Sequence, residues 1–400
     1  MNLTTQKLPP FFGINNQDPA YALPEGHMQA IENLIIDKRG RAVIRPGTTS
    51  VYTGTKPHSL FNYRDTFLYW REAGYLLRAR PNGTETLAPE LVATGLAHDE
   101  PMSYAVDSEG WMVWTDRYKI GAVAPDGEAT DVAPPTPKFA PEASINEGGG
   151  QLHGSGVVKV THTNIDKWGR EGGSDIHTVV GASEGYFSVE VGSPGENTQT
   201  YVSDPNGNEY YQLPASGSLT SIGGRRKRLG TRFRYPIPPG TIVVNWMYRW
   251  LVATGDNADV LLWSDPYNFL SNTEANAIFF DAPIRIIAPV EGGVYVMSDA
   301  TYFLTGRDPA KWAATRIHSE TAPPGAWCYV DGDNLSGDRH PEVQHVAWLT
   351  TTGSVMTGDP NGQIHDETGS VYRATSPQAG AAVFVEIDGV KQLLFATRTN

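Results

Sequence analysis

Cysteine is almost absent: Cys328 is the only one in 400 residues, which excludes an intrachain disulfide and a thiolate metal cage. Long apolar runs are absent too, and the start MNLTTQKLPPFFG has no basic segment leading into an apolar one. Neither a membrane-spanning helix nor export through a signal peptide is expected. Missing as well are HExxH, GxxxxGK and GxGxxG, the signatures of common zinc, P-loop and dinucleotide chemistry. The expectation is a non-enzyme with no catalytic residue, cofactor or metal. Positive charge is scarce, with 31 Lys and Arg against 44 Asp and Glu, a formal net charge of −13. That balance disfavours nonspecific nucleic-acid binding by the general surface, because neutralising phosphates requires clustered cations. An acidic wall would instead repel a passing duplex and keep it from sticking.

Turn formers and apolar residues are abundant. The chain has 42 Gly and 29 Pro with 40% hydrophobic residues, a composition of many short strands and few long helices. Comparing the chain with itself sharpens this all-β reading. Ser59–Pro89 can be laid over Met102–Pro134, so that Leu68-Tyr69-Trp70 falls on Met112-Val113-Trp114 and Pro81-Asn82-Gly83 on Pro125-Asp126-Gly127, both at a spacing of 44. The step from Trp250-Leu251-Val252 to Val294-Tyr295-Val296 is again 44, and weaker copies begin at Val343 and Ala381. A period of about 40–50 residues with about four strands per unit marks a β-propeller, whose blades bury their faces against one another. Six units can be counted, and a seventh is expected in the weak stretch from Ala310 to Asp331, giving six or seven blades. Trp70, Trp114, Trp250 and Trp263 read as blade-packing residues.

The register lapses between Pro135 and Gly240, where APPTPKFAPEA and RYPIPPG bracket a set of alternating strands. Pro-rich connectors of this kind are stiff and extended. The expected organisation is a propeller part over residues 1–134, an inserted fibronectin- or immunoglobulin-like β-sandwich within 135–240, and the remaining blades over 241–400. Near the start, Leu34, Ile35 and Ile36 precede a Lys-Arg-Gly turn, and Val43 and Ile44 follow it. This hairpin is expected to close the ring by pairing Asn33–Ile44 with Ala381–Thr399, and Arg45-Pro46-Gly47 to bend the chain into the first blade.

The basic residues gather in GGRRKRLGTRFRY, at Arg225, Arg226, Lys227, Arg228, Arg232 and Arg234. They form either a docking patch for an acidic partner or phosphate, or a charged loop near a domain boundary. The acidic run DGDNLSGD, Asp331–Asp338, departs from the EF-hand pattern and reads as a solvated loop, and His153, His162 and His177 lack metal-like spacing.

Several segments together resemble the propeller proteins of tailed bacteriophages, the head-to-tail nozzle or hub group also described as packaged-DNA stabilisation or tail tubular proteins. NLIIDKRGRAVIRPGTTSV is similar to that group's N-terminal hairpin, and THTNIDKWGREGG to the Trp-Gly turn opening its fibronectin-like insert. LGTRFRYPIPPG, VLLWSDPYNFL and APVEGGVYVMSDATYFLTGRDPAKW resemble its return into the ring. The chain departs from the pattern at Lys167 and Arg170, where acidic or small residues are more usual. The resemblance implies a virion structural protein made in the host cytoplasm. It would form a homo-hexameric ring between portal or adaptor and tail or fibre proteins, retaining DNA and passing it without specific binding or membrane insertion. Two other readings are a baseplate or tail-tip propeller contacting fibres or host, and a carbohydrate-binding or glycan-cleaving propeller.

Overall fold

The computed structural model describes residues 13–30, 34–36, 42–44, 50–81, 86–96, 99–153, 155–192, 195–213, 218–219, 227–272, 274–335, 343–369, 371–375, 377–387 and 390–398. Almost every regular element is a strand. No helix among the described residues is long and apolar enough to cross a membrane.

Five antiparallel four-stranded meanders carry the repeat. The first is His58–Tyr63, Phe67–Glu72, Tyr75–Ala79 and Glu90–Ala93, and the second Ser103–Val106, Met112–Thr115, Ile120–Val123 and Ala129–Thr130. The third is Ile242–Trp246, Arg249–Thr254, Val260–Trp263 and Ala277–Phe279. The fourth is Ile286–Val290, Gly293–Met297, Thr301–Thr305 and Ala314–His318, and the fifth Trp327–Asp331, Gln344–Leu349, Val355–Gly358 and Ile364–Asp366. The 44-residue step therefore joins equivalent strands: Trp70 and Trp114 both lie on second strands, as do Trp250 and Tyr295.

The expected seventh unit does not form, and the sixth, counted from Ala381, is among the described residues a two-stranded hairpin, Ala379–Ile387 with Val390–Arg398. Ala314–His318 is the last strand of the fourth meander and Trp327–Asp331 the first of the fifth, so the weak stretch is shared between two sheets. Between the fourth meander's last two strands, Asp308 caps a single 3-10 turn at Pro309–Lys311, and the Trp312 indole donates to the Gly306 carbonyl at 2.8 Å. This side excursion lengthens the connection and blurs the period.

By contacts the chain divides into two compact units, one comprising Met1–Pro101, Ala253–Leu261 and Phe279–Asn400, the other Met102–Val252 and Leu262–Ile278. In the first, the fourth and fifth meanders share a core of Ile286, Ala288, Tyr295, Met297, Val346, Trp348 and Met356. Tyr295 crosses this core to donate to the Asp359 carbonyl at 2.6 Å, and Gly358 is needed because a Cβ there would strike the phenol ring. In the second, the second and third meanders share Ala105, Trp111, Val113, Ala122, Val243, Trp250, Val252 and Leu262. Two hydroxyls stitch these sheets: Ser103 Oγ accepts from the Val243 N–H at 3.0 Å, and Thr115 Oγ1 accepts from the Gly240 N–H at 3.0 Å and donates to the Gly240 carbonyl at 2.8 Å.

The insert lies in the second unit. One sheet orders Ala143–His153, Tyr186–Val191 and Ser218–Leu219, the other His177–Ala182, Gly156–Asn164, Thr198–Ser203 and Tyr210–Gln212. Alternate residues of both, Val158, Val160, Phe187, Val189 and Val202 among them, fill one core between the sheets. The incoming and outgoing connectors meet at one dipeptide: a Cβ on Gly172 would collide with the Pro134 carbonyl and one on Gly173 with the Arg234 carbonyl.

The early hairpin forms with Leu34 opposite Ile44, Ile35 opposite Val43 and Ile36 opposite Ala42. It stands as its own two-stranded sheet, as does the terminal pair Ala379–Ile387 and Val390–Arg398, so the described residues show no ladder between them. The Lys38-Arg39-Gly40 turn and the Arg45-Pro46-Gly47 bend lie outside the described residues. Near the other end of the sequence the chain is met by Asn16 instead. Its amide donates to the Arg373 carbonyl at 2.7 Å and accepts from the Arg373 N–H at 3.0 Å, while its own N–H donates to the Val371 carbonyl at 3.1 Å. Asn16→Ala is expected to lower unfolding stability by about 1 kcal/mol, the usual net worth of such bonds, with Asn16→Asp retaining part of it through its acceptor. Urea denaturation of the two variants checks this.

Candidate functional site

The best-organised polar constellation is the turn that opens THTNIDKWGREGG. Asp166 Oδ1 accepts from the N–H groups of Trp168 at 3.0 Å and Arg170 at 2.9 Å, and Gly169 supplies the left-handed residue, φ +79°, that lets the loop reverse. Arg170 is thereby aimed back at the second meander. Its Nε donates to Asp166 Oδ2 at 2.6 Å, Nη1 to the Val132 carbonyl at 2.8 Å and Nη2 to the Asp131 carbonyl at 3.1 Å. The guanidinium lies 4.1 Å from the Trp111 ring centre, 5.1 Å from Phe269 and 5.5 Å from Trp168. Burial lowers its pKa from the ordinary arginine value, with Asp166 opposing.

Trp168 donates its indole N–H to Asp126 Oδ2 at 3.0 Å, and Lys167 pairs with Glu128. Both acids belong to the Pro125-Asp126-Gly127 turn region of the repeat. Lys167 and Arg170, the two positions that depart from the resembled pattern, are thus among the residues that fasten the insert to its sheet. The arrangement is a mount that fixes the turn against the second meander.

Three of the four described cations of the basic cluster are paired with carboxylates. Lys227 pairs with Glu171 at 2.8 Å, Arg228 with Glu209 at 2.8 Å and Arg234 with Asp265 at 2.5 Å. Arg232 lies over the rings of Tyr210 and Phe233 and donates to the Asn208 carbonyl at 3.1 Å. Glu171 also accepts from the Tyr201 hydroxyl at 2.5 Å, and burial followed by this carboxylate pushes the phenol far above its usual range. Arg225 and Arg226 lie outside the described residues. His153, His162 and His177 fall on strands of the insert, and burial lowers the pKa of His162. Among the described residues no three His, Cys, Asp or Glu side chains converge in metal-ligating geometry.

One feature escapes the sequence reading. Tyr248 and Tyr267 stack with centroids 4.4 Å apart and planes 21° apart, although they are 52% and 71% exposed. Directly inward, Trp250 and Phe269 stack at 5.3 Å and 22°. The signal was the recurrence of Tyr-Arg-Trp and Tyr-Asn-Phe, although both tyrosines sit in turns just before a strand and not within one. Met247, Tyr248 and Tyr267 hold φ of 46°, 64° and 56°, a left-handed conformation unusual for bulky side chains. The Tyr267 N–H donates to the Tyr248 carbonyl at 2.7 Å and ties the two segments together. Beside the rings is a shallow cleft lined also by Asp107, Ser108, Glu109, Asn245 and Asn268. Asp107 Oδ1 accepts from the Trp111 N–H at 2.8 Å, and burial raises its carboxyl above the ordinary value against the pull of these backbone bonds.

No protein-family model matches the chain, and no curated protein sequence matches it. Among solved structures it is similar to a virginiamycin B lyase from Staphylococcus aureus, at 12% identity and TM-score 0.35 over 86% of this chain and 92% of that one. A gluconolactonase from Xanthomonas campestris gives 13% identity and TM-score 0.32 over 83% and 80%. Overlaps this low assign neither fold family nor activity.

Two measurements test this geometry. Arg170→Ala is expected to lower stability by about 3 kcal/mol, because Asp166 and two carbonyls lose their donor, and Arg170→Lys to recover little of it, because an ammonium cannot bridge three acceptors in a plane. Chemical denaturation reads both. Asp107 titrates above its unfolded value, so it favours folding while protonated and loses that contribution as pH rises through its folded pKa. Asp107→Asn keeps the acceptor for Trp111 and is expected to match or exceed the parent's stability at neutral pH, with the advantage closing in acid. A larger advantage in acid than at neutral pH would contradict the assignment.

Proposed function

We propose that this chain is a structural protein of a tailed-phage particle, a β-propeller subunit carrying a fibronectin-like insert. In this reading the meanders are blades, and copies assemble by heterologous contacts into a six-fold ring of the head-to-tail nozzle. The observation that carries the proposal is the order of elements. An early hairpin, a two-sheet insert mounted on a Trp-Gly-Arg turn and a return into the repeated meanders follow one another as the resemblance implies. The insert's mount supports it further, since a domain held by Arg170 can transmit load to the sheet beneath.

The role is mechanical and electrostatic, and no reaction is assigned. A chain with net charge −13 that pairs Lys227, Arg228 and Arg234 of its basic cluster with its own carboxylates offers phosphates few footholds, as a conduit for DNA requires. Portal or adaptor proteins on one side and tail or fibre proteins on the other are the partners, and the virion is the location. Quantitative peptide mass spectrometry of purified source-phage particles tests this. A copy number of about half the portal count is the expected result for a closed six-fold axial ring. Absence from the particle would overturn the proposal.

A further inference from the structure

The tyrosine cleft is not explained by a mechanical role. A packed sheet gains nothing from leaving two stacked phenols exposed, and three bulky residues in the left-handed region cost stability that neighbouring contacts must hold in place. The inner pair, Trp250 and Phe269, already completes the core. The outer pair stacks on itself and stands exposed beside the same cleft.

We propose that this cleft binds a neutral saccharide. A pyranose presents an apolar face of C–H bonds and a rim of hydroxyls, and the electron-rich face of a tyrosine attracts such C–H groups. Tyr248 and Tyr267 are held by their mutual stack and by the backbone bond between them, so little side-chain freedom is lost on binding.

The polar lining selects the ligand's class. Asn268 Oδ1 accepts from the Leu270 N–H at 2.8 Å, which directs its NH₂ donors elsewhere. Asn245 is turned the other way: its NH₂ donates to the Arg249 carbonyl at 3.3 Å, leaving Oδ1 as an acceptor. Glu109 adds a solvent-facing carboxylate, an acceptor only. Hydroxyls, which both donate and accept, match this mixture. An anionic ligand does not, because no Lys or Arg lines the cleft and two carboxylates do. A simple cation would leave the Asn268 donors unused. The inference is independent of the virion reading, since it rests on the cleft alone.

A glycan microarray of neutral and acidic sugars, probed with the full chain and followed by titration of the strongest neutral hit, tests the proposal. Binding to neutral glycans is expected, weakened about tenfold or more by Tyr248→Ala or Tyr267→Ala, which corresponds to about 1.4 kcal/mol. Tyr118→Ala removes a comparably exposed tyrosine elsewhere and should leave affinity unchanged. Asn268→Asp keeps the acceptor for Leu270 while removing the donors, so it should lower affinity without moving the thermal transition. No neutral binding, preference for acidic glycans, or affinity indifferent to both tyrosines and to Asn268→Asp would overturn it.

Discussion

A four-stranded sheet with apolar side chains on both faces cannot stand alone in water, and this constraint organises the molecule. The second strands of the meanders show it directly. Met112–Thr115 and Gly293–Met297 are buried at every position, and Trp250–Ala253 likewise, so successive residues pointing to opposite faces are all covered. Each such sheet must be flanked on two sides. The second and third meanders share one core and the fourth and fifth another, and hydroxyls such as Thr115 fill the backbone bonds where one sheet's end meets the next segment.

The insert has its own core and answers to a different constraint. Its two sheets are satisfied internally, so its position depends on the stem. Arg170 supplies that link by combining three directional bonds with contacts to the faces of aromatic residues that belong to the meander core. A planar cation with donors along its edge and weak hydration on its faces suits a site that is polar at the rim and apolar above and below.

Much of the fold was legible because two-period apolar alternation and turn chemistry are local signals, and they repeat. The 44-residue step located equivalent strands in four meanders, and the Pro-rich brackets located the insert. The seventh unit failed because Ala310–Asp331 holds real strands whose sheet membership is decided by long-range pairing. The closing ladder expected of the Leu34–Ile44 hairpin is not among the described pairings, whereas Asn16 reaches Arg373 through one amide, a link with no periodicity to betray it. Reading charge by its clustering made Lys227, Arg228 and Arg234 look available. Their carboxylates, Glu171, Glu209 and Asp265, lie far away in sequence, and only folding brings them together. Tyr248 and Tyr267 were hidden for the opposite reason: aromatics beside strands are usually core, and nothing in the sequence says which of them stay outside.

The contact of Gly172 and Gly173 with the Pro134 and Arg234 carbonyls brings the insert's two connectors through a doorway one dipeptide wide. A domain hung on such a doorway is a cassette. Its strands can lengthen, its loops can be exchanged and its outer surface can be rewritten without shifting the register of the sheets that carry it. Change at the doorway, by contrast, disturbs host and passenger together. The two glycines and the arginine beside them therefore mark the boundary between a frame set by its sheet packing and a part that carries its own core.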